Sequence, residues 1–215
     1  MINIRTFQCN PLAENCYVVS DETRQAVIID CGAAYDSERQ AIARYIDYQQ
    51  LQPVHLLCTH GHLDHCFGNI FIAERYGLLP EVSADDEFLA ADLDAQARSM
   101  FGFAMTEPTP ALGSRLVAGK NVAFGNHELQ VLPTPGHTPG SVIFYCEDER
   151  VAFSGDTLFR MSIGRTDFER GSWTDMMNSL QQQVSTLPAD VTVYPGHGPL
   201  TTIADELRMN PYMKS

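Results

Sequence analysis

Three of the seven histidines in this chain fall within one hexapeptide, His60-Gly61-His62-Leu63-Asp64-His65. The hexapeptide follows a short apolar run at residues 54–58, which predicts a buried strand, and it precedes a helix predicted at residues 65–76. A loop at the end of a buried strand is held by rigid neighbours and can aim its side chains into a common site. Imidazole suits zinc and other borderline metals, and a carboxylate adds an oxygen donor. A loop of solvated histidines is the alternative, but the pattern favours a fold that builds a metal site at the end of a strand.

Two further histidines lie in loops of the same kind. His137 lies between two predicted strands in residues 134–140, and His197 lies directly after a predicted strand in residues 194–199. Glycine before each histidine lets the backbone approach closely, and the flanking prolines stiffen the turns. Asp156 also follows an apolar strand, although a Gly-Asp turn is common and indicates little by itself. Together with the hexapeptide, these loops predict one cluster of metal ligands.

The two remaining histidines lack this setting. His55 lies within a predicted strand, where a packed or surface histidine is the usual case, and His127 lies in an Asn-His-Glu turn, where we expect solvent around it. Neither is expected to bind a metal.

The predicted elements form two β-rich halves, each of which ends in helices. Periodicity and turn residues predict strands at 2–7, 16–19, 26–29, 54–58, 121–124, 128–132, 141–146, 150–154 and 191–194, and helices at 36–50, 65–76, 84–101, 173–186 and 202–209. Residues 102–120 are rich in proline and glycine, which predicts an irregular flap. This order favours an α+β fold in which two sheets form a sandwich with helices on both outer faces. The length of 215 residues favours a single domain over residues 1–215.

The charge balance restricts the partners. The chain has 14 lysines and arginines against 27 aspartates and glutamates, a formal charge of −13. Nucleic acids and anionic membranes select clustered cations, so we expect neither as a partner. No apolar stretch approaches the roughly 20 residues of a membrane-spanning helix. The N-terminal residues lack a basic segment followed by an apolar run, so a cytoplasmic protein is expected.

The six cysteines are expected to be free and buried. No pair has the CxxC spacing, and no secretory signal indicates an oxidising compartment. Cys66 directly follows the hexapeptide, and Cys31 lies in an Asp-Cys-Gly turn. Both could approach the metals, but we expect both to be inert packing residues.

These motifs resemble those of the metallo-β-lactamase superfamily, and within it a short subgroup of glyoxalase II-like hydrolases. The resemblance runs through nearly the whole chain and depends on four motifs, at residues 59–65, 134–141, 154–159 and 195–198. It implies an αββα four-layer sandwich with two metal ions at one edge. The ligands it implies are His60, His62 and His137 for the first ion, Asp64, His65 and His197 for the second, and Asp156 as a bridge between them. Two Zn²⁺ ions are the expected cofactors, with iron or manganese as alternatives.

The resemblance also implies a reaction. A hydroxide shared by the two ions would attack the carbonyl of a small-molecule thioester, such as an S-2-hydroxyacylglutathione, and Asp64 would orient this nucleophile as the catalytic residue. Arg165 is a candidate for binding an anionic substrate group, or equally for a structural salt bridge. Longer glyoxalase II enzymes bind glutathione through a C-terminal helical domain and have an acidic residue and a tyrosine after the last ligand. Here Gly198 and Pro199 follow His197, so we expect weak binding of glutathione.

Three alternatives remain open at this point. A persulfide dioxygenase with one iron ion shares the motif at residues 164–168, but it would leave the second metal site idle. Hydrolysis of lactones or other esters belongs to the same superfamily. A non-catalytic metal-binding module would show gaps in the ligand set, and none is seen. The sequence does not specify an oligomeric state.

Overall fold

Two β-sheets lie face to face, and helices cover the outer face of each sheet. This arrangement is seen in a computed structural model of the protein, which describes residues 1–214. Tyr17, Ile29, Leu129, Phe144 and Phe153 are among the apolar side chains that pack between the sheets. Two further apolar clusters join each sheet to the helices outside it. The αββα four-layer sandwich expected from the sequence is therefore confirmed.

The first sheet brings two of its loops to one edge. Its strands are β1 (Asn3–Cys9), β2 (Glu14–Ser20), β3 (Gln25–Ile29), β4 (Gln52–Leu57) and β5 (Pro80–Glu81), hydrogen-bonded in that order. The pairs β1–β2 and β2–β3 are antiparallel, whereas β3–β4 and β4–β5 are parallel. Since parallel neighbours end at the same edge, the loops after β3 and β4 lie side by side.

The second sheet does the same with two other loops. Its strands are β6 (Asn121–Phe124), β7 (His127–Pro133), β8 (Val142–Cys146), β9 (Val151–Gly155), β12 (Thr192–Pro195) and β13 (Thr201–Thr202). Their order is β13-β12-β9-β8-β7-β6, and β9 pairs with β12 in parallel. The short strands β10 (Leu158–Phe159) and β11 (Ser162–Ile163) form a separate hairpin. The loops after β9 and β12 therefore meet at one edge.

Four of the five predicted helices differ from the observed ones mainly at their ends. The observed helices are α1 (Asp36–Gln49), α2 (Asn69–Tyr76), α3 (Glu87–Ala90), α4 (Leu93–Gln96), α5 (Trp173–Gln182) and α6 (Ile203–Met209). Single 3₁₀ turns lie at Leu63–His65, Ala84–Asp86 and Val184–Thr186. Within the described part of the chain, no helix combines the length and apolar character needed to cross a membrane.

The continuous helix predicted at residues 84–101 is wrong. The structure breaks this segment into a 3₁₀ turn, α3, α4 and a π-helical turn at Ala97–Phe101. The Asp92 side chain accepts a hydrogen bond from the Ala95 amide at 3.0 Å and so starts α4. The buried Gln96 amide donates to the carbonyl groups of Gly61 and Leu89. These polar contacts hold the segment in a bent path over the hexapeptide loop, which a straight helix could not take.

Two other expectations are confirmed. Residues 102–120 contain neither helix nor strand apart from one isolated bridge between Ser83 and Leu116, as predicted for the flap. All six cysteines are buried and free. Cys31 and Cys66 both pack within apolar clusters.

His127 is not solvated, and that expectation is wrong. Its side chain is only 8% exposed, and its two ring nitrogens lie 3.3 Å from Asp21 Oδ2 and 3.0 Å from Glu149 Oε1. The sandwich places the β2–β3 turn beside the β6–β7 turn, which the local sequence does not show. His55 lies on β4 with its Nδ1 atom 2.6 Å from Glu81 Oε1, outside the predicted metal cluster as expected.

Asp21 links the two sheets through this contact, and we expect its loss to destabilise the fold. Burial alone would raise the pKa of Asp21, but hydrogen bonds from Asn126, Thr23 and His127 outweigh burial and lower the pKa to about 2. Since this lies below the ordinary value of 3.8, the stabilisation is complete above about pH 4 and is lost as the pH falls towards 2. Asp21→Ala should lower the free energy of unfolding by about 2 kcal/mol at pH 7.

Urea unfolding at pH 7, 4 and 3 measures this effect. Asp148→Ala, in an exposed turn, is the control and should leave stability within about 0.5 kcal/mol of the parent protein. A difference between Asp21→Ala and the parent protein that does not shrink towards pH 3 would contradict the assignment.

Candidate metal centre

The seven predicted ligands converge at one edge of the sandwich. The hexapeptide follows β4, His137 lies in the β7–β8 loop, Asp156 follows β9 and His197 follows β12. They come together because the parallel pairs β3–β4 and β9–β12 end at this edge. The donor atoms form overlapping groups whose members lie within 4.8 Å of one another.

One group consists of three imidazoles. His60, His62 and His137 are buried, and their ring centroids lie 4.7 to 4.9 Å apart. The His62 Nδ1 and His137 Nε2 atoms are 2.9 Å apart, so their lone pairs can point at one cation. Three nitrogen donors that leave a side open are typical of a catalytic zinc site.

The second group adds a carboxylate. His197 Nε2 lies 3.2 Å from Asp64 Oδ2, and His65 Nε2 lies 3.8 Å from the same oxygen. This donor set is harder than the first, because one of its three donors is an anionic oxygen.

Asp156 lies between the two groups. Its Oδ1 atom is 3.3 Å from His65 Nε2, and its Oδ2 atom is 3.6 Å from His137 Nε2 and 3.8 Å from His197 Nε2. The carboxylate therefore faces donors of both groups, which is the position expected for a bridging ligand.

Buried atoms without partners show that the site fits metal ions. His60 Nε2, His65 Nε2 and Asp156 Oδ1 are buried and have no hydrogen-bond partner among the described residues. Buried polar atoms are rarely left in this way, because each costs the full loss of its hydration. Cations at these atoms would satisfy all three.

The opposite ring nitrogens are held by other parts of the fold. Nδ1 of His60 lies 3.1 Å from Thr59 Oγ1, and Nδ1 of His65 lies 3.1 Å from Asp30 Oδ2. Nδ1 of His137 and of His197 lie 2.7 and 3.1 Å from the backbone carbonyl oxygens of Arg165 and Leu12, respectively. Such contacts leave Nε2 free of its proton and point it at the metal position. Sequence reasoning did not identify Asp30 as a partner of a ligand. In the structure its backbone φ of 53° places it in a tight turn directly after β3.

The pKa shifts of the histidines favour neutral imidazoles at His60 and His62 and positive charge beside His65. Burial, followed by the neighbouring histidines, lowers the pKa of His60 well below its ordinary value. Burial and His137 lower the pKa of His62 to about 3. Burial alone would also lower the pKa of His65, but carboxylates led by Asp156 outweigh it and raise this pKa. Positive charge is thus favoured where the carboxylates lie.

Asp86 joins two of the ligand loops, and sequence reasoning missed it. This buried carboxylate accepts hydrogen bonds from the Gly61 amide at 2.9 Å, the Gly140 amide at 2.6 Å and the Thr138 hydroxyl at 2.7 Å. The first amide belongs to the hexapeptide, and the other two groups belong to residues that follow His137 in its loop. Asp86 follows the exposed Asp85 in an acidic segment, and nothing in the local sequence distinguishes the two.

Glycine is required where Asp156 is packed. A Cβ atom at Gly164 or at Gly196 would collide with Asp156, at its carbonyl and carboxylate oxygens respectively. The close backbone approach expected from the Gly-His motif is therefore present at Gly196.

Arg165 lies at the rim of the cleft in front of the donors. Its guanidinium forms two hydrogen bonds with Asp167, at 2.6 and 2.7 Å, and lies 4.4 Å from the centre of the Phe168 ring. The salt bridge expected as one alternative is present. The cleft has a volume of about 500 Å³, and Arg165 is the only arginine or lysine that lines it in the described part of the chain.

The four-layer sandwich and the two donor groups at its edge define a scaffold that can hold metal ions. The family model described as metallo-beta-lactamase superfamily matches residues 9–197. The chain belongs to the metallo-beta-lactamase superfamily.

Three known proteins are similar to this chain over nearly its full length. Hydroxyacylglutathione hydrolase GloC of Haemophilus influenzae is 32% identical over 217 residues, which cover 100% of this chain and 99% of that protein. The crystal structure of the BLEG-1 B3 metallo-beta-lactamase has a TM-score of 0.89 at 32% identity and covers 99% of this chain and 100% of its own. TTHA1623, solved in a di-iron-bound form, has a TM-score of 0.84 at 35% identity and covers 97% of this chain and 99% of its own.

Proposed function

We propose that the protein is a dinuclear metal-dependent hydrolase of thioesters, with S-2-hydroxyacylglutathiones as the model substrates. The observation that carries this proposal is the position of Asp156 between two donor groups, each of which has three further donors. The similarity of the chain to a hydroxyacylglutathione hydrolase supports a thioester as the substrate. Hydrolysis of lactones or other esters would use the same chemistry. The free, buried thiols agree with a cytoplasmic placement.

The proposal assigns a role to each polar group of the cleft. His60, His62 and His137 would hold one ion, Asp64, His65 and His197 the other, and Asp156 would bridge them. When bound, the ions supply hydroxide at neutral pH and polarise a carbonyl group. Asp64 lines the cleft, where its carboxylate can accept a hydrogen bond from the nucleophile and orient it. Zinc suits the imidazole-rich first group, and the di-iron form of TTHA1623 keeps iron as the alternative.

We expect S-lactoylglutathione to be hydrolysed with weak binding, and this assay tests the proposed function. Arg165 is the only arginine or lysine among the described residues that line the cleft, and Asp167 already compensates its charge. The glutathione carboxylates therefore lack a free cationic partner, so KM should be on the order of 1 mM or above. An S-lactoyl thioester of N-acetylcysteamine should compete nearly as well.

Two results would contradict these expectations separately. Absence of hydrolysis of both thioesters by the metal-loaded protein would exclude the proposed function. A low-micromolar KM with strong preference for glutathione would show that the chain builds a tripeptide pocket.

The metal content is expected to be two ions per chain. Elemental analysis after growth with zinc should give about two equivalents, and His197→Ala should lose about one of them. His55→Gln, which changes a histidine outside the centre, should retain both. Since bound ions stabilise the folded state alone, removal by a chelator should lower the melting temperature by roughly 5–10 °C.

A stable content of one iron ion would instead favour the persulfide dioxygenase alternative. Oxygen uptake with glutathione persulfide tests that reaction directly. The complete second donor group of Asp64, His65 and His197 favours the hydrolase, because a mononuclear enzyme would not use it.

A further inference from the structure

A second cavity lies beside the metal cleft and is lined mainly by apolar side chains. It has a volume of about 400 Å³, and its walls include Leu12, Tyr35, Phe67, Phe101, Phe103 and Met105. The three phenylalanine rings form a cluster with centroid distances of 6.1 to 6.4 Å. Leu12 is 48% exposed and Phe103 is 44% exposed. Large apolar side chains gathered around one concavity commonly mark a ligand site.

The flap wall of this cavity is anchored rather than loose. Glu107 accepts two hydrogen bonds from the Arg39 guanidinium, at 2.6 and 2.7 Å, and Arg39 also donates to the carbonyl group of Phe67. The Met105 amide donates to Asp94 Oδ1 at 2.7 Å. Arg39 is the only arginine or lysine among the described residues that line the cavity, and it is already paired. The cavity therefore suits an uncharged group.

The cavity and the metal cleft share a wall. The Leu12 side chain lines both, and its carbonyl group accepts the hydrogen bond from the ring of His197. Met100 lines the cleft, and the adjacent Phe101 of the π-helical turn lines the cavity. The Asn10 side chain fixes the Leu12 turn by donating to the Asp64 carbonyl at 2.8 Å. A molecule with its reacting carbonyl in the cleft can therefore extend an apolar arm past Leu12.

We propose that this cavity binds an uncharged apolar arm of the substrate, of the size of a hexyl or phenylethyl group. The inference rests on the proposed thioester hydrolysis and specifies its substrate class. The arm could belong to the acyl group or to the thiol, and these two sources share the same chemistry.

A series of matched thioesters tests the proposal. We expect kcat/KM for S-hexanoyl-N-acetylcysteamine or for S-hexyl thioacetate to exceed that for S-acetyl-N-acetylcysteamine by about tenfold or more, and the better of the two identifies the arm. Phe103→Ala should reduce this preference to within about threefold. Tyr48→Ala is the matched control, because Tyr48 is an 85% exposed aromatic residue on α1 outside both cavities.

A binding measurement keeps the test independent of turnover. We would record methionine methyl NMR spectra of the zinc-loaded protein with the neutral probe 4-phenylbutanamide. The Met105 signal should shift, since Met105 lines the cavity, whereas Met176, buried against the second sheet, should not. Phe103→Ala should weaken this shift at equal probe concentration.

The outcomes separate the two proposals. A Met105 shift without thioester hydrolysis would retain an apolar ligand site and exclude the proposed reaction. Thioester hydrolysis with no chain preference and no Met105 shift would overturn the cavity assignment alone. Dissociation of a dimer by Phe103→Ala, seen by sedimentation, would also overturn it, because the cavity would then be an interface between two copies.

Discussion

Asp156→Ala is expected to reduce activity strongly and to weaken the binding of both metal ions. The carboxylate faces His65 on one side and His137 and His197 on the other, so its loss affects both donor groups. Removing one partner from a buried set of charges costs about 3–5 kcal/mol, because the remaining charges lose their compensation. At about 1.4 kcal/mol for each factor of ten, kcat/KM should fall by about 10²- to 10³-fold.

The measurement is a steady-state assay together with elemental analysis of the same samples. Asp148→Ala removes an aspartate from the exposed β8–β9 turn and should leave both quantities unchanged. His127→Ala is a poor control, since His127 packs against Asp21 and Glu149 and its loss would change stability. Full metal content in Asp156→Ala would contradict the bridging assignment.

Asp86→Ala is expected to lower the zinc affinity of the centre, although Asp86 is not one of the predicted metal ligands. The substitution leaves the Gly61 and Gly140 amides and the Thr138 hydroxyl without their buried acceptor. Each hydrogen bond to a charged group contributes about 1.5–3 kcal/mol, so a loss of several kcal/mol in stability is expected. Because the two loops carry His60, His62 and His137, zinc affinity should fall by about 10–100-fold, the usual effect of losing a contact that orients ligands.

Asp85→Ala provides the matched control, because the neighbouring Asp85 side chain is exposed. Competition with a chromogenic chelator measures zinc affinity, and urea unfolding of the metal-free proteins measures stability. Equal zinc affinity in Asp86→Ala and Asp85→Ala would show that the loops keep their arrangement without Asp86.

The layers of the fold were predictable because the longer helices and strands show the spacing of their buried residues within one stretch of sequence. The apolar run at residues 54–58 and the Pro-Gly-His turns marked strand ends, and the structure places them there. The segment 84–101 was not predictable in the same way. Its helical periodicity is real, but Asp92 caps a new helix and Gln96 bonds to the hexapeptide loop, and the second contact joins residues far apart in sequence.

The candidate site shows the same division. All seven predicted donors were found from local motifs and are brought together by the structure, whereas His127 was wrongly expected to be solvated. Asp30 and Asp86 escaped notice because each acts through partners that are far away along the chain. Single carboxylates in turns look alike until their neighbours are known.

The sequence by itself determined the layers that the chain forms and singled out seven candidate metal ligands, since spacing and periodicity are local properties. Only the tertiary structure decided how Asp156 lies between two donor groups, which carboxylates orient the loops, and where an apolar cavity adjoins the cleft. These depend on parallel strands ending at a common edge and on loops that meet across it. The physical reason is that hydrogen bonds and burial act between atoms close in space, whatever their distance along the chain.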